Sequence, residues 1–347
     1  MLALSLGNII RQERQIKGMT QSQLAALLGI SRQSLINAEQ DKVSVSFETM
    51  ARLQQILGIS LDQIAIDLTP AASWQWWPEM PLQSGPVVAA AMNGQLIVSP
   101  IQATLTQDVS NGWWDMESGQ IHWYSHNDIS RQIFAAGCDP YLPWLVRAFH
   151  EHQSAYRLIP FSMASEKAVN SLRRGVVHLA GSHLYNPQEH TYNHIARHGE
   201  KWLYIGYLDW EEGRVYRSGS SQGEQGESHQ WALREPGSEA LALFYRHCAP
   251  QAVNGDQIRH FLTHRDLVSF VHSSGIQGVS IGSLAHLQGL SFEPWATEHF
   301  EWIAHMDNIE KPWLKAFMAV LEHSSLSRQL EALPYQNCSN WARVRQD

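Results

Sequence analysis

The chain has 347 residues, of which 44% are hydrophobic, and its 25 Lys and Arg against 33 Asp and Glu give a formal net charge of −8. This hydrophobic share excludes a mainly disordered chain, and the length favours two or more domains. No apolar run reaches the roughly 18 residues of a membrane span, and Met1–Leu4 is too short for the apolar part of a signal peptide, so we expect a cytoplasmic protein without membrane contact.

Composition separates an N-terminal unit from the rest of the chain. Residues 1–70 contain six basic and six acidic residues, so the charge of −8 belongs to the remainder, which also holds all 18 His and all 14 Trp. Net acidity argues against a generic nucleic-acid binder, yet residues 1–38 carry four basic residues against one acid. The three cysteines are widely spaced and odd in number, which fits a reducing compartment: Cys138, Cys248 and Cys338.

The N-terminal unit, residues 1–69, has the signals of short, capped helices. Thr20 with Gln23 and Ser60 with Gln63 have the spacing of capping boxes. Glycines follow several segments in which apolar residues recur at helical spacing. These signals predict an all-α domain of five short helices near residues 4–17, 20–28, 31–40, 46–57 and 60–67. Only Gly29 and Ile30 separate the second helix from the third, which predicts a helix-turn-helix.

The third predicted helix presents side chains that suit DNA. Arg, Gln and Asn make paired hydrogen bonds to base edges, an exposed Ile can meet a thymine methyl, and residues such as Gln21 and Lys42 suit phosphate. The alternative is a small helical bundle with an ordinary polar face. The predicted DNA-binding residues are Gln21, Ser31, Arg32, Gln33, Ser34, Ile36, Asn37 and Lys42.

The run from Thr20 to Glu39 resembles the phage-repressor-like (Xre/Cro) helix-turn-helix family. It carries, in order, the T-Q-x-x-L-A, G-[VI]-S and final Glu of that family, and Asp41 replaces the Gly that often ends the recognition helix. The resemblance covers about 65 residues and implies a DNA-binding domain that acts as a dimer on double-stranded operator DNA.

Residues 70–86 read as a linker, because four prolines and Gly85 interrupt any helix or central strand. Trp74, Trp76 and Trp77 lie inside this segment. We expect these rings to pack on a neighbouring surface, with a binding platform as the alternative.

Residues 87–347 form the second predicted domain. From residue 130 onward, short apolar runs alternate with amphipathic stretches, which predicts an α/β domain with largely parallel sheets and two lobes around a cleft. In such sheets ligands bind beyond the carboxyl ends of the strands. The candidate ligand-binding residues at those positions are Cys138, Asp139, Ser162, Ser165, His183, Tyr185, Arg234, Ser238 and Glu239.

The residue types at these positions favour a small anionic or polar ligand. Ser165 and Ser238 place hydroxyls beside helical N–H groups, and Arg234 adds a fixed positive charge. The alternative is ordinary N-capping by the serines with a surface Arg.

Three stretches, 136–140, 175–184 and 234–238, resemble the substrate-binding-type domain that bacterial regulators fuse to helix-turn-helix modules. This domain is similar in fold to periplasmic binding proteins, including those for molybdate and tungstate, and the resemblance covers about residues 87–345. It implies a sensor for a small ligand, such as an oxyanion. Where relatives commonly carry a small residue and then an Arg, this chain has Glu239 and Leu241, and Glu239 would repel an oxyanion unless it is protonated or paired.

Two other motifs have competing interpretations. Gly278 to Gly282 matches the G-x-S-x-G pattern of hydrolases, which requires Ser280 to be exposed beside a His–acid pair, but the β-branched neighbours favour a buried strand. His190, His194 and His198 would share one face of a helix and could bind a transition metal, but an exposed His-rich face is favoured.

The sequence therefore predicts a transcription regulator that binds operator DNA as a homodimer and senses a small ligand, with no cofactor, no metal site and no enzyme activity. The alternative is a DNA-binding regulator whose second domain is a ligand-free scaffold for dimerisation or for protein partners.

Overall fold

The structure, a computed structural model, describes residues 6–40, 42–43, 45–58, 74–101, 110–124, 129–152, 155–195, 200–218, 230–248 and 257–346. The chain divides into two compact units, Met1–Gln132 and Ile133–Asp347. Within the described residues no helix has the length and apolar character needed to cross a membrane.

The first unit begins with four helices, α1 (Leu6–Ile16), α2 (Gln21–Leu28), α3 (Arg32–Glu39) and α4 (Phe47–Leu57). Thr20 and Gln23 form the predicted capping box, and Gly29 ends α2 in the left-handed conformation at φ 71°. These four helices confirm the prediction, whereas the fifth, near residues 60–67, lies outside the described residues. The helices enclose an apolar core formed by Ile9, Ile10, Leu24, Ala25, Leu28, Leu35, Leu53 and Leu57.

The first unit also contains a five-stranded sheet. Its strands are β1 (Trp74–Trp76), β2 (Gly85–Met92), β3 (Gln95–Pro100), β4 (Gly112–Asp115) and β5 (Gln120–Trp123), in the order β1-β3-β2-β4-β5. The pair β1–β3 is parallel, while β2–β3, β2–β4 and β4–β5 are antiparallel.

Part of the segment predicted as a linker belongs to this sheet. This part is strand β1. The rings of Trp74 and Trp76 pack edge to face against each other and against Trp114, and Trp77 is buried. Strands β2 to β5 belong to the same sheet, which has its own apolar core, and the chain divides into its two compact units after Gln132.

The second unit is built on one large mixed sheet. The strands of its central path are β6 (Gln132–Gly137), β7 (Arg157–Ser162), β8 (Leu179–Ser182), β11 (Trp202–Tyr216), β12 (Trp231–Arg234), β13 (Ile258–Phe261), β14 (Gln277–Ile281) and β15 (Ser291–His305). Their order in the sheet is β13-β12-β14-β11-β15-β8-β6-β7, and two short strands also pair with β11. The others are the pair β9 (Tyr185–Asn186) and β10 (Thr191–Tyr192), with β16 (Gln336–Asn337) and β17 (Val344–Gln346) on β11.

The expectation of largely parallel sheets is wrong for the centre of this unit. Pairs β12–β13, β12–β14 and β6–β8 are parallel, but β11 pairs antiparallel with β14 and β15, and β15 pairs antiparallel with β8. The reason is that β11 and β15, each 15 residues long, run side by side and join the two parallel portions. Residues distant in sequence therefore meet along these two strands.

Helices cover the sheet of the second unit. They are α5 (Leu142–His152), α6 (Ser165–Arg173), α7 (Glu239–His247), α8 (His264–Ser274), α9 (Gly282–Leu287), α10 (Pro312–His323) and α11 (Leu326–Glu331). Helix α5 begins at Leu142, and Asp139 Oδ1 accepts a hydrogen bond from Tyr141 N just before it, at 2.8 Å. Large aromatic residues, including Trp210, Trp302, Phe149 and Phe317, fill the core.

Candidate functional site

Most of the predicted DNA-binding residues lie in helix α3 or next to its ends. Ser31, Arg32, Gln33, Ser34 and Lys42 are exposed, and Ile36 and Asn37 are half-buried. Leu35 and Ala38, on the other face, are buried. The helix therefore anchors through its apolar side and leaves its polar side accessible.

Some of these side chains are held in place by each other. Ser31 Oγ accepts a hydrogen bond from Ser34 N at 3.0 Å and so caps α3. Gln33 Nε2 donates to Asn37 Oδ1 at 3.1 Å, one helical turn away. Both interactions pre-orient the polar face of the helix.

Gln21 belongs to a contact that the sequence did not reveal. Its Nε2 donates to Glu39 Oε2 at 2.9 Å, while Arg14 Nε donates to Glu39 Oε1 at 2.6 Å. Arg14 and Glu39 are buried and 25 residues apart, which is why no local motif signals the pair. This contact joins α1 and the start of α2 to the end of α3.

A buried set of polar side chains occupies the centre of the second unit. We call Cys138, Ser165, His183, Glu212 and Glu298 the polar cluster. Cys138 Sγ lies 3.4 Å from Ser165 Oγ and 2.9 Å from His183 Nε2, and His183 Nδ1 lies 2.5 Å from Glu298 Oε2. Trp210 Nε1 donates to the same carboxylate oxygen at 3.4 Å.

The electrostatics of the polar cluster follow from its burial and its close partners. Burial opposes ionisation of Cys138, but His183 and Arg234 outweigh it and lower the thiol pKa. Burial likewise opposes the charged form of His183, but Cys138 and Glu298 raise its pKa well above the ordinary value. The lowered pKa of Cys138 favours the thiolate more than usual, and the raised pKa of His183 favours the imidazolium more than usual.

Glu212 lies next to Glu298 in the polar cluster. Neither of its carboxylate oxygens has a hydrogen-bond partner among the described residues, and the same is true of Glu298 Oε1. Burial, and then the neighbouring charge of Glu298, raise the pKa of Glu212 well above its ordinary value. His264 Nδ1 is 3.8 Å from Glu212 Oε1, and burial with the charge of Arg234 lowers the His264 pKa well below its ordinary value.

Arg234 and Asp139, both predicted as ligand-binding residues, are buried next to the polar cluster. Arg234 donates from Nε to Phe261 O at 3.3 Å and from Nη2 to Leu262 O at 2.7 Å. Its Nη1 and the Oδ2 of Asp139 have no hydrogen-bond partner within the described part of the chain. Burial raises the pKa of Asp139 to about 7.

The remaining predicted ligand residues have structural contacts. Ser238 caps α7 by accepting from Leu241 N at 3.3 Å, and Glu239 forms an ion pair with Arg246 at 2.5 Å. Glu239 Oε2 also accepts from Tyr185 N at 3.1 Å. Ser162 ends β7 and is exposed, unlike the polar cluster. The charge of Glu239, expected to repel an oxyanion, is therefore paired.

The structure agrees with the buried strand favoured for the first motif and contradicts the helix expected for the second. Ser280 is buried within β14 and lies 3.0 Å from His264 Nδ1, so it does not occupy the exposed turn of a hydrolase nucleophile. The described residues 185–195 form turns and the strands β9 and β10, so His190 and His194 do not share a helix face. His194 instead contacts Glu189 at 2.6 Å, and His198 lies outside the described residues.

Sequence reasoning missed Glu212, Glu298 and His264. Glu212 and Glu298 are fully buried acids in the two long strands, β11 and β15. Each acid lies two residues from an aromatic residue of its strand, Glu212 from Trp210 and Glu298 from Phe300. Such an acid is a signal, because buried charges require partners. This signal does not identify the partner of either acid, because the partner depends on which strands pair.

Two family profiles match the chain. The profile described as Helix-turn-helix matches residues 10–64, and the profile described as PBP superfamily domain matches residues 146–322, just over half of the chain. No curated protein sequence matches this chain significantly.

Several solved structures are similar to part of the chain. The regulatory domain of MetR, a LysR family regulator from N. meningitidis, has 12% identity and a TM-score of 0.42, covering 59% of this chain and 97% of its own. An ABC-type phosphate transport receptor from Vibrio cholerae has 12% identity and a TM-score of 0.41, covering 58% and 98%. The Synechocystis CcmR regulatory domain in complex with 2-PG has 15% identity and a TM-score of 0.38, covering 55% and 98%.

Proposed function

Because this chain belongs to the PBP superfamily and carries an Xre-like helix-turn-helix domain at its N-terminus, we propose that it is a ligand-responsive transcription regulator. The first domain binds double-stranded operator DNA, and the second binds a small polar ligand. We place this protein in the cytoplasm, where such DNA is found, and propose that it acts as a homodimer.

The exposed polar face of α3 supports DNA recognition. Arg32 and Gln33 are exposed at the N-terminal end of the helix, the end that contacts base edges in helix-turn-helix domains. Arg reads guanine and Gln reads adenine through paired hydrogen bonds, while Lys42 supplies a charge for phosphate. A dimer places two such helices on half-sites about one helical turn apart.

The orphaned polar atoms beside the polar cluster support ligand binding. Arg234 Nη1 and His264 Nε2 offer hydrogen bonds, while Glu212, Glu298 and Asp139 have oxygens without a protein partner in the described structure. Leaving such atoms buried and unpaired costs free energy, so a polar ligand that pairs them would stabilise the unit. We propose a small ligand whose anionic or polar group lies at Arg234, with a hydrogen-bond donor facing the carboxylates.

A simple oxyanion suits this set less well than a ligand with both donors and acceptors. Glu212 and Glu298 lie within the same buried region, and carboxylates repel an anion unless they are protonated. The same orphaned atoms favour a sensor over the ligand-free scaffold, since a scaffold gains nothing from buried polar groups that lack partners.

Regulation requires that the ligand binds two conformations of the protein unequally. We propose that ligand binding between the two parallel portions of the large sheet changes the spacing of the two DNA-binding domains in the dimer. Operator affinity then changes with ligand concentration.

The test uses the full-length protein. A duplex selected from a random library supplies the operator, and thermal-shift screening of small metabolites and oxyanions supplies the ligand. Fluorescence anisotropy then measures operator affinity with and without that ligand. An unchanged affinity would contradict ligand regulation, and a failure to enrich any duplex would contradict sequence-specific DNA binding.

A further inference from the structure

The polar cluster contains three side chains of the kinds that ligate metal ions. His183 follows β8, Glu212 lies in β11 and Glu298 lies in β15. One ligand atom from each residue lies within 4.8 Å of the others, and all three side chains are buried. Two atoms bound to the same ion at about 2.1 Å lie about 3 to 4 Å apart, so small side-chain rotations bring these three together around one ion.

The carboxylates have free capacity for a cation. Both oxygens of Glu212 and the Oε1 of Glu298 lack hydrogen-bond partners in the described regions, although both residues are 0% exposed. Buried carboxylates are normally paired or bound to metal, because unpaired charge is costly away from water. A cation between Glu212 and Glu298 would pair these oxygens.

We propose that His183, Glu212 and Glu298 bind one divalent transition-metal ion. One imidazole nitrogen and two carboxylates form a donor set that suits Zn²⁺, Mn²⁺, Fe²⁺ or Co²⁺. His183 Nδ1 faces Glu298 and becomes the nitrogen ligand, and the three protein ligands leave at least one coordination position for water or for a ligand.

Cys138 orients the imidazole in this site. Its Sγ lies 2.9 Å from His183 Nε2, the nitrogen that points away from the carboxylates. A metal-bound His usually donates its second N–H to an acceptor that fixes the ring, and Cys138 provides that acceptor. The positive charge of Arg234 lies nearby and would repel a metal ion, but the two carboxylates offset that charge. His264 also lies close to the site, 3.8 Å from Glu212.

Metal binding at these residues does not require the regulatory function proposed above, because it is measured on the protein alone. Full-length protein stripped with a chelator is titrated with Co²⁺, and visible d–d absorption is recorded. We expect one Co²⁺ per chain, displaced by Zn²⁺. The absence of saturable Co²⁺ and Zn²⁺ binding to folded wild-type protein would overturn the proposal.

Matched variants locate the ion. Glu212→Gln is nearly isosteric, and we expect it to weaken binding at least about 10-fold, since changing even a residue that only supports a metal ligand costs about that much. Glu211→Gln changes the neighbouring acid of the same strand, whose Oε1 accepts from Thr297 Oγ1 at 2.7 Å, and should leave binding unchanged. Equal affinities of the two variants would place the ion elsewhere and refute the assignment.

Two further measurements keep the site testable if Glu212→Gln does not fold. His190→Ala/His194→Ala removes two exposed imidazoles, and this variant should still bind one Co²⁺ per chain. X-ray absorption of the Zn²⁺-loaded wild-type protein should show an N/O shell near about 2.0–2.1 Å with one imidazole. Loss of the ion in the double variant, or a shell without imidazole, would contradict the proposal.

Discussion

Arg14 in α1 and Glu39 at the end of α3 form a buried ion pair, in which Arg14 Nε lies 2.6 Å from Glu39 Oε1. Arg14 Nη1 also donates to Met19 O at 2.8 Å, and Gln21 donates to the same Glu39 carboxylate. The proposed recognition helix is therefore tied to the rest of the DNA-binding domain by charge as well as by its apolar face.

Glu39→Ala should destabilise this domain, because it leaves the buried Arg14 guanidinium unpaired. We expect a loss of about 3–5 kcal/mol in the free energy of unfolding of residues 6–57. Hydrogen-exchange mass spectrometry on the full chain measures it, since residues 1–70 contain no Trp to report by fluorescence. The apolar pair Arg14→Met/Glu39→Leu is the control and should recover most of the protection; unchanged protection in Glu39→Ala would show that the pair contributes nothing.

Arg32→Ala and Lys42→Ala should weaken DNA binding in different ways. Loss of a base-reading Arg costs about 1–3 kcal/mol and relaxes specificity at one base pair, whereas loss of a phosphate contact weakens all duplexes alike. Lys42→Ala should also reduce the salt dependence of binding by about one unit of slope. Anisotropy titrations against the selected operator and its point variants, at several salt concentrations, measure both. The assignment of roles fails if the two variants show the same sequence and salt dependence.

Asp139→Asn should change how stability depends on pH. Burial raises the pKa of Asp139 from 3.8 to about 7, so between those values the folded protein holds a proton that the unfolded chain has released. Wild-type stability therefore falls as pH rises through this window, by up to about 4 kcal/mol from this group, and the variant lacks that loss. Urea unfolding from pH 4 to 8 gives the difference between variant and wild type. Asp307→Asn, at an exposed carboxylate, is the control and should show no such trend.

Gly206→Ala should destabilise the second unit. A Cβ at this position would lie 2.0 Å from the backbone oxygen of Asn340, and Gly206 exchanges backbone hydrogen bonds with Arg343 and Ala342. Because backbone atoms cannot rotate away, we expect a loss of at least about 1–3 kcal/mol and exposure of residues 340–346. Gly85→Ala, where no atom lies within 4 Å, is the control for urea unfolding and proteolysis. Equal stability of the two variants would show that the C-terminal segment adapts freely.

Local sequence signals were sufficient to predict the helices of the first domain. The caps of α2, α3 and α4 each join residues three positions apart, such as Thr20 with Gln23 and Ser31 with Ser34, so a short window of sequence contains the whole interaction. The same locality made Ser238 identifiable as the cap of α7. It also allowed the positions just after strands, Cys138 and His183, to be nominated as site residues before any partner was known.

The partners of those residues can be identified from the tertiary structure alone. Cys138 and His183 are 45 residues apart, and His183 and Glu298 are 115 apart, yet their side chains are in contact. The antiparallel pairing of β11 with β15 brings Glu212 and Glu298 into the polar cluster, and packing against Trp114 turns part of the expected linker into strand β1. Strand order and register are set by the burial of many apolar side chains at once, and no short stretch of sequence contains that sum.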